Sequence, residues 1–464
     1  MSKISKGAMH MKTDCCFSIP LTLEAIDSSA DVTFKNCAES PVIYRVNSGK
    51  QNMIKSGEEK TISLEKAGDT VAFYGDNDGY TRLDDGDDDD YVCYDNSQIS
   101  CSETCYVYGN IMSLISVDDF ENEKNLDKKE AFSYLFSYAK IRSNPDIPLL
   151  LPATTLTESC YKGMFEGCSN VETAPELPAM TLAEGCYESM FCGYSGLKSA
   201  PKLPAKKLEK NCYKGMFEDC SGLMSATELP ATTLTEECYE SMVRGCSGLK
   251  SAPKLPAKKL EKNCYKGMFS CTNIKFAPEL PALTLAEGCC ESMFSGCSGL
   301  ESAPKLPANI MAKNCYKGMF EGCSGLMSAP ELPAMTLAEG CYFEMFNGCS
   351  GLVTVQKILP AKTLANFCYH KMFCGCSNIE TAPELPAEKL CFACYQKMFY
   401  KCSKLSKVTC LAADIHSNLS LNKWLALGSK LGVFVKAAGI NEWLSINDPD
   451  VFPSDWTVIE KDTE

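Results

Sequence analysis

The sequence predicts an α+β repeat solenoid of about ten 26-residue units, each a short helix plus a short parallel strand, preceded by a small all-β sandwich domain. Three observations predict it. A Leu-Pro dipeptide recurs with prolines at 152, 178, 204, 230, 256, 281, 307, 333, 360 and 386. A cysteine phrase keeps the same count, as in CYKGMFEGCS at Cys160, CYKGMFEDCS at Cys212 and CYKGMFEGCS at Cys315. Upstream, residues 18–115 alternate apolar and polar positions between turn residues, which is the pattern of half-buried strands.

Within one unit, Leu177 to Lys202, residues Cys186, Tyr187, Met190, Phe191 and Tyr194 lie at relative positions 0, 1, 4, 5 and 8. At 3.6 residues per turn they share about 140° of arc, one face of a short helix. Ser-Gly then ends the helix. A proline-punctuated run follows, in which the residues before proline, Ala200 and Leu203, are expected to be extended. Such a unit cannot bury its apolar face alone, so neighbours must stack, about 4.8 Å apart, on the order of 50 Å for the array. Charge supports the register. The residue after Cys-Tyr or Cys-Cys runs Lys162, Glu188, Lys214, Glu240, Lys266, Glu291, Lys317. The residue before Leu-Pro runs Glu176, Lys202, Glu228, Lys254, Glu279, Lys305, Glu331. Stacked in register, each column becomes a ladder of opposite charges, about 0.2–1 kcal/mol per pair. The ladder reads as a register device or as a charged binding strip.

The chain has 30 cysteines and three histidines, His10, His370 and His416, so Cys/His zinc sites are not a general explanation. The second cysteine of the phrase is replaced by Tyr194 in the second unit and moves one place closer, to Cys271, in the fifth. A buried apolar column tolerates both changes, whereas a disulfide or all-cysteine metal framework suffers from them. Core-lining thiols are therefore expected, with inter-column disulfides and metal as the alternatives. Met164 with Phe165, Met190 with Phe191, and onward to Met398 with Phe399, are core by the same argument.

The phrase MFEGCSGLMSAPELPAMTLAEG, Met319 to Gly340, resembles the BspA-like leucine-rich repeats, also called the Treponema pallidum type. Phe320, Cys323, Leu326, Leu332, Pro333 and Leu337 stand at that pattern's positions, and the likeness spans residues 130–412. The unit here is slightly longer than the family's, and Ala-Pro stands where an aliphatic strand residue is usual. The β segment resembles small domains that precede such repeats in gut-bacterial surface proteins and some phage-encoded ones. VFPSDWTVIE resembles the ends of Bacteroidetes-type repeat proteins. The resemblance implies a cell-surface or extracellular protein for adhesion and host contact. The first twenty residues, however, show no apolar signal-peptide core.

The expected segments are 1–17, a disordered tail; 18–115, the β-sandwich domain with an acidic loop; and 116–150, a linker and degenerate N-terminal cap repeat, with Leu135 and Phe136 in the Met-Phe slots. Then come 151–411, the ten-unit leucine-rich repeat array, and 412–464, an aromatic C-terminal cap holding Trp424, Trp443, Trp456, Phe434 and Phe452. The cap reads as a plug over the open core or as a glycan platform.

Net charge is -14, which opposes nucleic-acid binding by phosphate neutralisation. No apolar run is long enough to span a membrane as a helix. The loop GDNDG could hold calcium through Asp76 and Asp78, but position 87 is aspartate where an EF-hand needs its bidentate glutamate. Cys37 could pair with Cys93, Cys101 or Cys105, or all could be free. No phosphate loop, Ser/His/Asp set or paired histidines appear, so no catalytic residue, cofactor or metal ligand is assigned. The expectation is a non-enzymatic binding or adhesion protein for a protein or glycan partner. A virion or structural scaffold and a lectin using the C-terminal aromatics are the alternatives. Phe343, Phe367 and His370 interrupt the charge ladder and are the candidate binding residues.

Overall fold

A computed structural model describes residues 17–77, 79–84, 93–441, 443, 448, 451, 453 and 455–462. The chain forms two compact units, Met1–Pro230 and Ala231–Glu464.

The first unit opens with β1 (Thr22–Ala25), β2 (Ala30–Lys35), β3 (Val42–Val46), β4 (Gln51–Ile54), β5 (Glu59–Leu64) and β6 (Thr70–Gly75). It continues with β7 (Thr81–Asp84), β8 (Cys93–Asn96), β9 (Gln98–Cys101), β10 (Cys105–Asn110), β11 (Ile141–Ser143) and β12 (Leu149–Leu150). One sheet runs β11-β10-β1-β6-β3-β4, a second β5-β2-β9, and β7 pairs with β8. Alternation decides which side chains enter: Val32 and Phe34 of β2 are fully buried between exposed or half-exposed neighbours. Phe34 meets Phe73 of the other sheet at 5.1 Å between ring centroids. β11 and β12 add to β10 in parallel, where all other pairings in the two larger sheets are antiparallel. Phe132 stacks between Tyr80 and Tyr161, and Phe136 lies 5.7 Å from Phe165, so residues 131–136 form the first coil under the repeats.

The repeats correct the expected helix-plus-strand unit. No α-helix occurs among the described residues, and no named strand lies between β12 and β13 (Lys407–Cys410). The leucine-rich-repeat-like α+β solenoid is therefore not the fold. In its place, each cysteine phrase is a run of turns whose amides alternate in use. Lys162, Met164, Glu166 and Cys168 donate within their own coil to Ser159, Tyr161, Gly163 and Phe165 carbonyls, at 3.0–3.2 Å. Gly163, Phe165 and Gly167 donate instead to Glu188, Met190 and Cys192 of the next coil, at 2.8–2.9 Å. The same alternation runs through the second unit, where Phe294 donates to Met319 and Phe320 to Met345, both at 2.9 Å. A residue donating outward takes a left-handed φ at many of these steps, as at Ser159, Gly163 and Gly167. An isolated helix of so few residues is marginal in water, and a helix would aim every amide along its own axis. The inter-coil bonds are worth more here because they accompany ring stacking, and tertiary context overrides local propensity.

The proline segments also form no continuous strand. They touch one repeat away through single parallel bridges, Thr181 with Lys207 and Ser199 with Ser225 in the first unit, Ile310 with Thr336 and Ser328 with Thr354 in the second. Proline has no amide to give, so Leu-Pro interrupts the ladder once per unit and, in most units, Ala-Pro does so a second time.

The core is columnar. Phe294, Phe320, Phe346, Phe373 and Phe399 stack at 5.5–5.7 Å in near-parallel planes. All described cysteines are free thiols, and all are buried except Cys192, Cys271, Cys374 and Cys391. The second cysteine of each phrase donates back to a phenylalanine carbonyl: Cys323 to Phe294 at 3.1 Å, Cys349 to Phe320 at 2.9 Å. In the fifth unit Thr272 takes this slot and donates to Phe269, while Cys271 turns to solvent. Gly351 lies so close to the preceding coil that a Cβ would collide with the Ser324 carbonyl oxygen.

The end of the second unit is β13, β14 (Val433–Lys436) and β15 (Thr457–Glu460), all parallel. Trp424 continues the tyrosine column at 6.2 Å from Tyr395 and packs against Trp443 at 5.8 Å. The indole N–H groups of Trp424, Trp443 and Trp456 donate to the carbonyls of Val451, Ala412 and Ser429.

Two outcomes test this packing. On the native chain a thiol reagent should modify Cys271 first and Cys192, Cys374 and Cys391 slowly, with the remaining described thiols reacting only after denaturation. Equal reactivity of Cys323 and Cys271 in the native state would contradict the columns. Gly351→Ala should lower unfolding free energy by about 1–3 kcal/mol, whereas the adjacent exposed Ser350→Ala should change it by less than about 0.5 kcal/mol.

Candidate functional site

The ion-pair ladder forms in one of the two alternating columns, that of the residue after Cys-Tyr or Cys-Cys; among the described residues the column before Leu-Pro, Glu176 to Glu331, forms no ion pairs and is not the ladder expected. Lys162 pairs with Glu188 at 3.3 Å, Lys266 with Glu240 at 3.6 Å, and Lys317 with Glu291 at 3.0 Å, each one coil apart. The next two residues of that column are Phe343 and His370, and they break it.

The backbone places them. The Gly318 amide donates to the Phe343 carbonyl and the Glu344 amide to the His370 carbonyl, both at 2.8 Å, so the two side chains lie on consecutive coils. Their rings stack at 4.6 Å between centroids with 7° between planes. On the coil before, the Lys317 ammonium sits 5.7 Å from the Phe343 centroid, within cation–π range. Phe367 stands edge-on to His370 at 6.0 Å, and Phe392 meets Phe367 edge-on at 5.2 Å. All three phenylalanines are half-buried, and His370 is buried. Lys371 and Glu344 close one side with an ion pair of 2.5 Å.

Phe367 has φ 57°, a left-handed conformation that bulky residues avoid. Most other coils put Gly or Asn at this step, as at Gly288, Asn314 and Gly340, while Ser159, Glu237 and Ala393 take the same left-handed φ. The strain is on the order of 1–3 kcal/mol, and two edge-on ring contacts of about 0.5–1.5 kcal/mol each offset it.

His370 is held neutral. Burial pushes its imidazole down from 6.5 to about 4, Lys371 and Lys397 push the same way, and Glu344 and Gln396 oppose them more weakly. Its Nδ1 is buried without a hydrogen-bond partner. Near neutral pH the ring is uncharged and stacks on Phe343. The site therefore offers an aromatic shelf beside an ion pair, and nothing in it sets up a nucleophile beside a base.

The structure thus brings Phe343, Phe367 and His370 into one cluster. It adds Phe392, Lys317 and the Glu344–Lys371 pair. Phe392 was legible as a consensus break, since its column carries charged residues such as Glu287, Lys313 and Glu339 up to Asn366 on the preceding coil, but adjacency to Phe367 needed the coil register.

The other sequence candidates fall elsewhere. The C-terminal indoles are core: Trp424, Trp443 and Trp456 are 0%, 1% and 5% exposed, so they offer no glycan platform. Asp76 accepts the Val117 amide at 2.8 Å, and its proposed calcium partner Asp78 and residue 87 lie outside the described residues. Among the described residues no group of His, Cys, Asp and Glu is placed to hold a metal ion. His416 is exposed, and His10 lies outside the described residues. Cys37, Cys101 and Cys105 are buried thiols, and the side chain of Cys93 lies outside the description. No described helix is long and apolar enough to cross a membrane.

Comparisons with protein-family models, with curated proteins and with solved structures each return no match.

The imidazole supplies a pH test. Its folded-state value lies below the unfolded one, so its contribution to stability is complete above pH 6.5 and is lost as pH falls from 6.5 towards about 4. His370→Phe, which keeps a stacking ring, should be more stable than the parent at pH 5 by about 1–2 kcal/mol relative to the difference at pH 7.5. Urea unfolding at the two pH values measures this, and parallel losses in both proteins would refute the buried neutral imidazole.

Proposed function

We propose that the chain is a non-enzymatic binding protein of the adhesion kind, and that it holds a protein partner on the shelf formed by Phe343, Phe367 and Phe392. The observation that carries this reading is the interruption itself. Phe343 and His370 replace the charged residues of the ion-pair ladder on consecutive coils, and half-exposed Phe367 and Phe392 from neighbouring columns gather beside them. A buried aromatic centre with a charged rim is the composition of a protein-binding hot spot. Lys317, Glu344 and Lys371 supply the rim.

A protein is favoured over a sugar by the same geometry. Sugar rings stack on open aromatic faces. Phe343 has His370 on the following coil against one face and Lys317 on the preceding coil over the other. What it offers to solvent is an edge, and Phe367 and Phe392 are packed edge to face on one another. Apolar side chains of a partner can fill such a notched surface.

A displayed peptide library selected on the full chain tests the reading, with glycan binding run in parallel. Enriched peptides should carry apolar anchors and bind Phe367→Ala or Phe343→Ala at least tenfold more weakly, about 1.4 kcal/mol or more. Peptides indifferent to both substitutions, or a response confined to glycans, would overturn it.

A further inference from the structure

The column before Leu-Pro alternates in sign as strictly as the ladder does, yet among the described residues it forms no ion pair. In the second unit it reads Lys254, Glu279, Lys305, Glu331 on four successive coils. All four side chains are exposed, and none meets an opposite charge within the chain. One column away, Lys266 and Glu240, and Lys317 and Glu291, pair at 3.6 and 3.0 Å.

The backbone decides what shares a face with these charges. Leu280 and Ala282 are buried, while Glu279, Pro281 and Leu283 between and beside them face solvent. Glu331, Pro333 and Met335 repeat this period-two alternation of extended chain, and the runs that start at Lys254 and Lys305 follow it. Stacked, the four runs make one face with a charged column, a proline column and a mixed column. The face carries apolar side chains in the open: Leu283 and Met335 are more than half exposed, and Ile310 is 76% exposed. A groove of about 590 Å³ opens between two of the runs, lined by Pro304, Pro307, Pro330 and Pro333 together with Lys305 and Glu331.

We propose that this face binds a second copy of the chain, with the two stacks of coils antiparallel about a two-fold axis between the Glu279 and Lys305 coils. A two-fold interface sets one patch against itself. In a parallel arrangement each charge would meet its own equivalent, like against like. In the antiparallel one the order plus, minus, plus, minus is read backwards, so every charge meets its opposite. Glu279 faces Lys305 of the second copy, and Lys254 faces Glu331. Leu283 falls across from Asn309 and Ile310 of the second copy, so apolar surface is covered beside the ion pairs. Prolines offer no amide to an incoming strand, so charge and shape choose the partner rather than strand pairing. None of these residues belongs to the aromatic shelf.

Sedimentation equilibrium on the full chain should show a monomer–dimer equilibrium that salt weakens. Glu279→Lys and Lys305→Glu should each weaken it by about tenfold or more, since each sets like charges opposite one another at two points. The double variant should recover the parent's association. A mixture of the two single variants should form a heterodimer, because each supplies the charge that the other lacks. Circular dichroism should be unchanged throughout, as the substituted side chains are exposed. Phe367→Ala should leave the equilibrium as in the parent, which separates this result from the fate of the shelf. A parent that stays monomeric at about 100 μM would overturn the proposal. So would single variants that associate like the parent, or a double variant no better than either single one.

Discussion

The structure rests on one constraint: a coil too short to be a stable helix must still pair its buried amides. It does so by dividing them. Alternate N–H groups close turns inside the coil, and the rest cross to the next one, as with Met319 to Tyr316 and Phe320 to Met345. The crossing bonds fix each residue beside its own equivalent. The buried columns therefore largely repeat one residue type at a spacing set by ring thickness and hydrogen-bond length, 5.5–5.7 Å between phenylalanines. Cysteine suits the narrow position next to these rings. It is small and apolar, and its weak donor finds a carbonyl one coil back. When the cysteine shifts, Thr272 fills the slot and donates instead to the Phe269 carbonyl of its own coil.

The same constraint explains what the sequence could and could not disclose. The period, the buried columns and the charge ladder were legible because they depend on which side chains repeat. The backbone was not. Positions 0, 1, 4, 5 and 8 share a face in a helix, and they also share a face in a run of alternating turns. Hydrophobic periodicity reports the buried face, whereas the amide partners decide the conformation. A signal for turns was present. Gly185, Asn211, Asn263, Gly288, Asn314 and Gly340 all stand just before the phrase's first cysteine, and all have left-handed φ. Glycine and asparagine recurring at one step of a supposed helix argue against that helix.

The candidate shelf was half legible. Phe343, Phe367 and His370 stood out because they break columns, and columns are visible in a sequence. That they touch depends on register: position 343 meets position 370 across 27 residues because this unit carries one extra residue. The roles of Lys317 and Phe392 follow only from that register. The neutrality of His370 has no sequence signature, since it comes from burial and from Lys371 and Lys397 nearby.

Near-identical coils also limit where specificity can arise. A residue that repeats from coil to coil is packed against its equivalents above and below, as Tyr161 is on Tyr187 and Phe320 on Phe346. Lys266 answers Glu240, and Cys349 answers the Phe320 carbonyl. Only a residue that differs from its column loses its partner and acquires a new one. Tyr194 lost a carbonyl and gained an edge-on contact with Phe191; Phe343 lost an ion pair and gained a histidine. Each change is tolerated because the backbone ladder beneath it continues: the Gly193 amide still reaches Glu218, and the Gly318 amide still reaches Phe343. Backbone bonds thus hold the register while side chains are free to diverge, and the divergent side chains are where binding chemistry can enter.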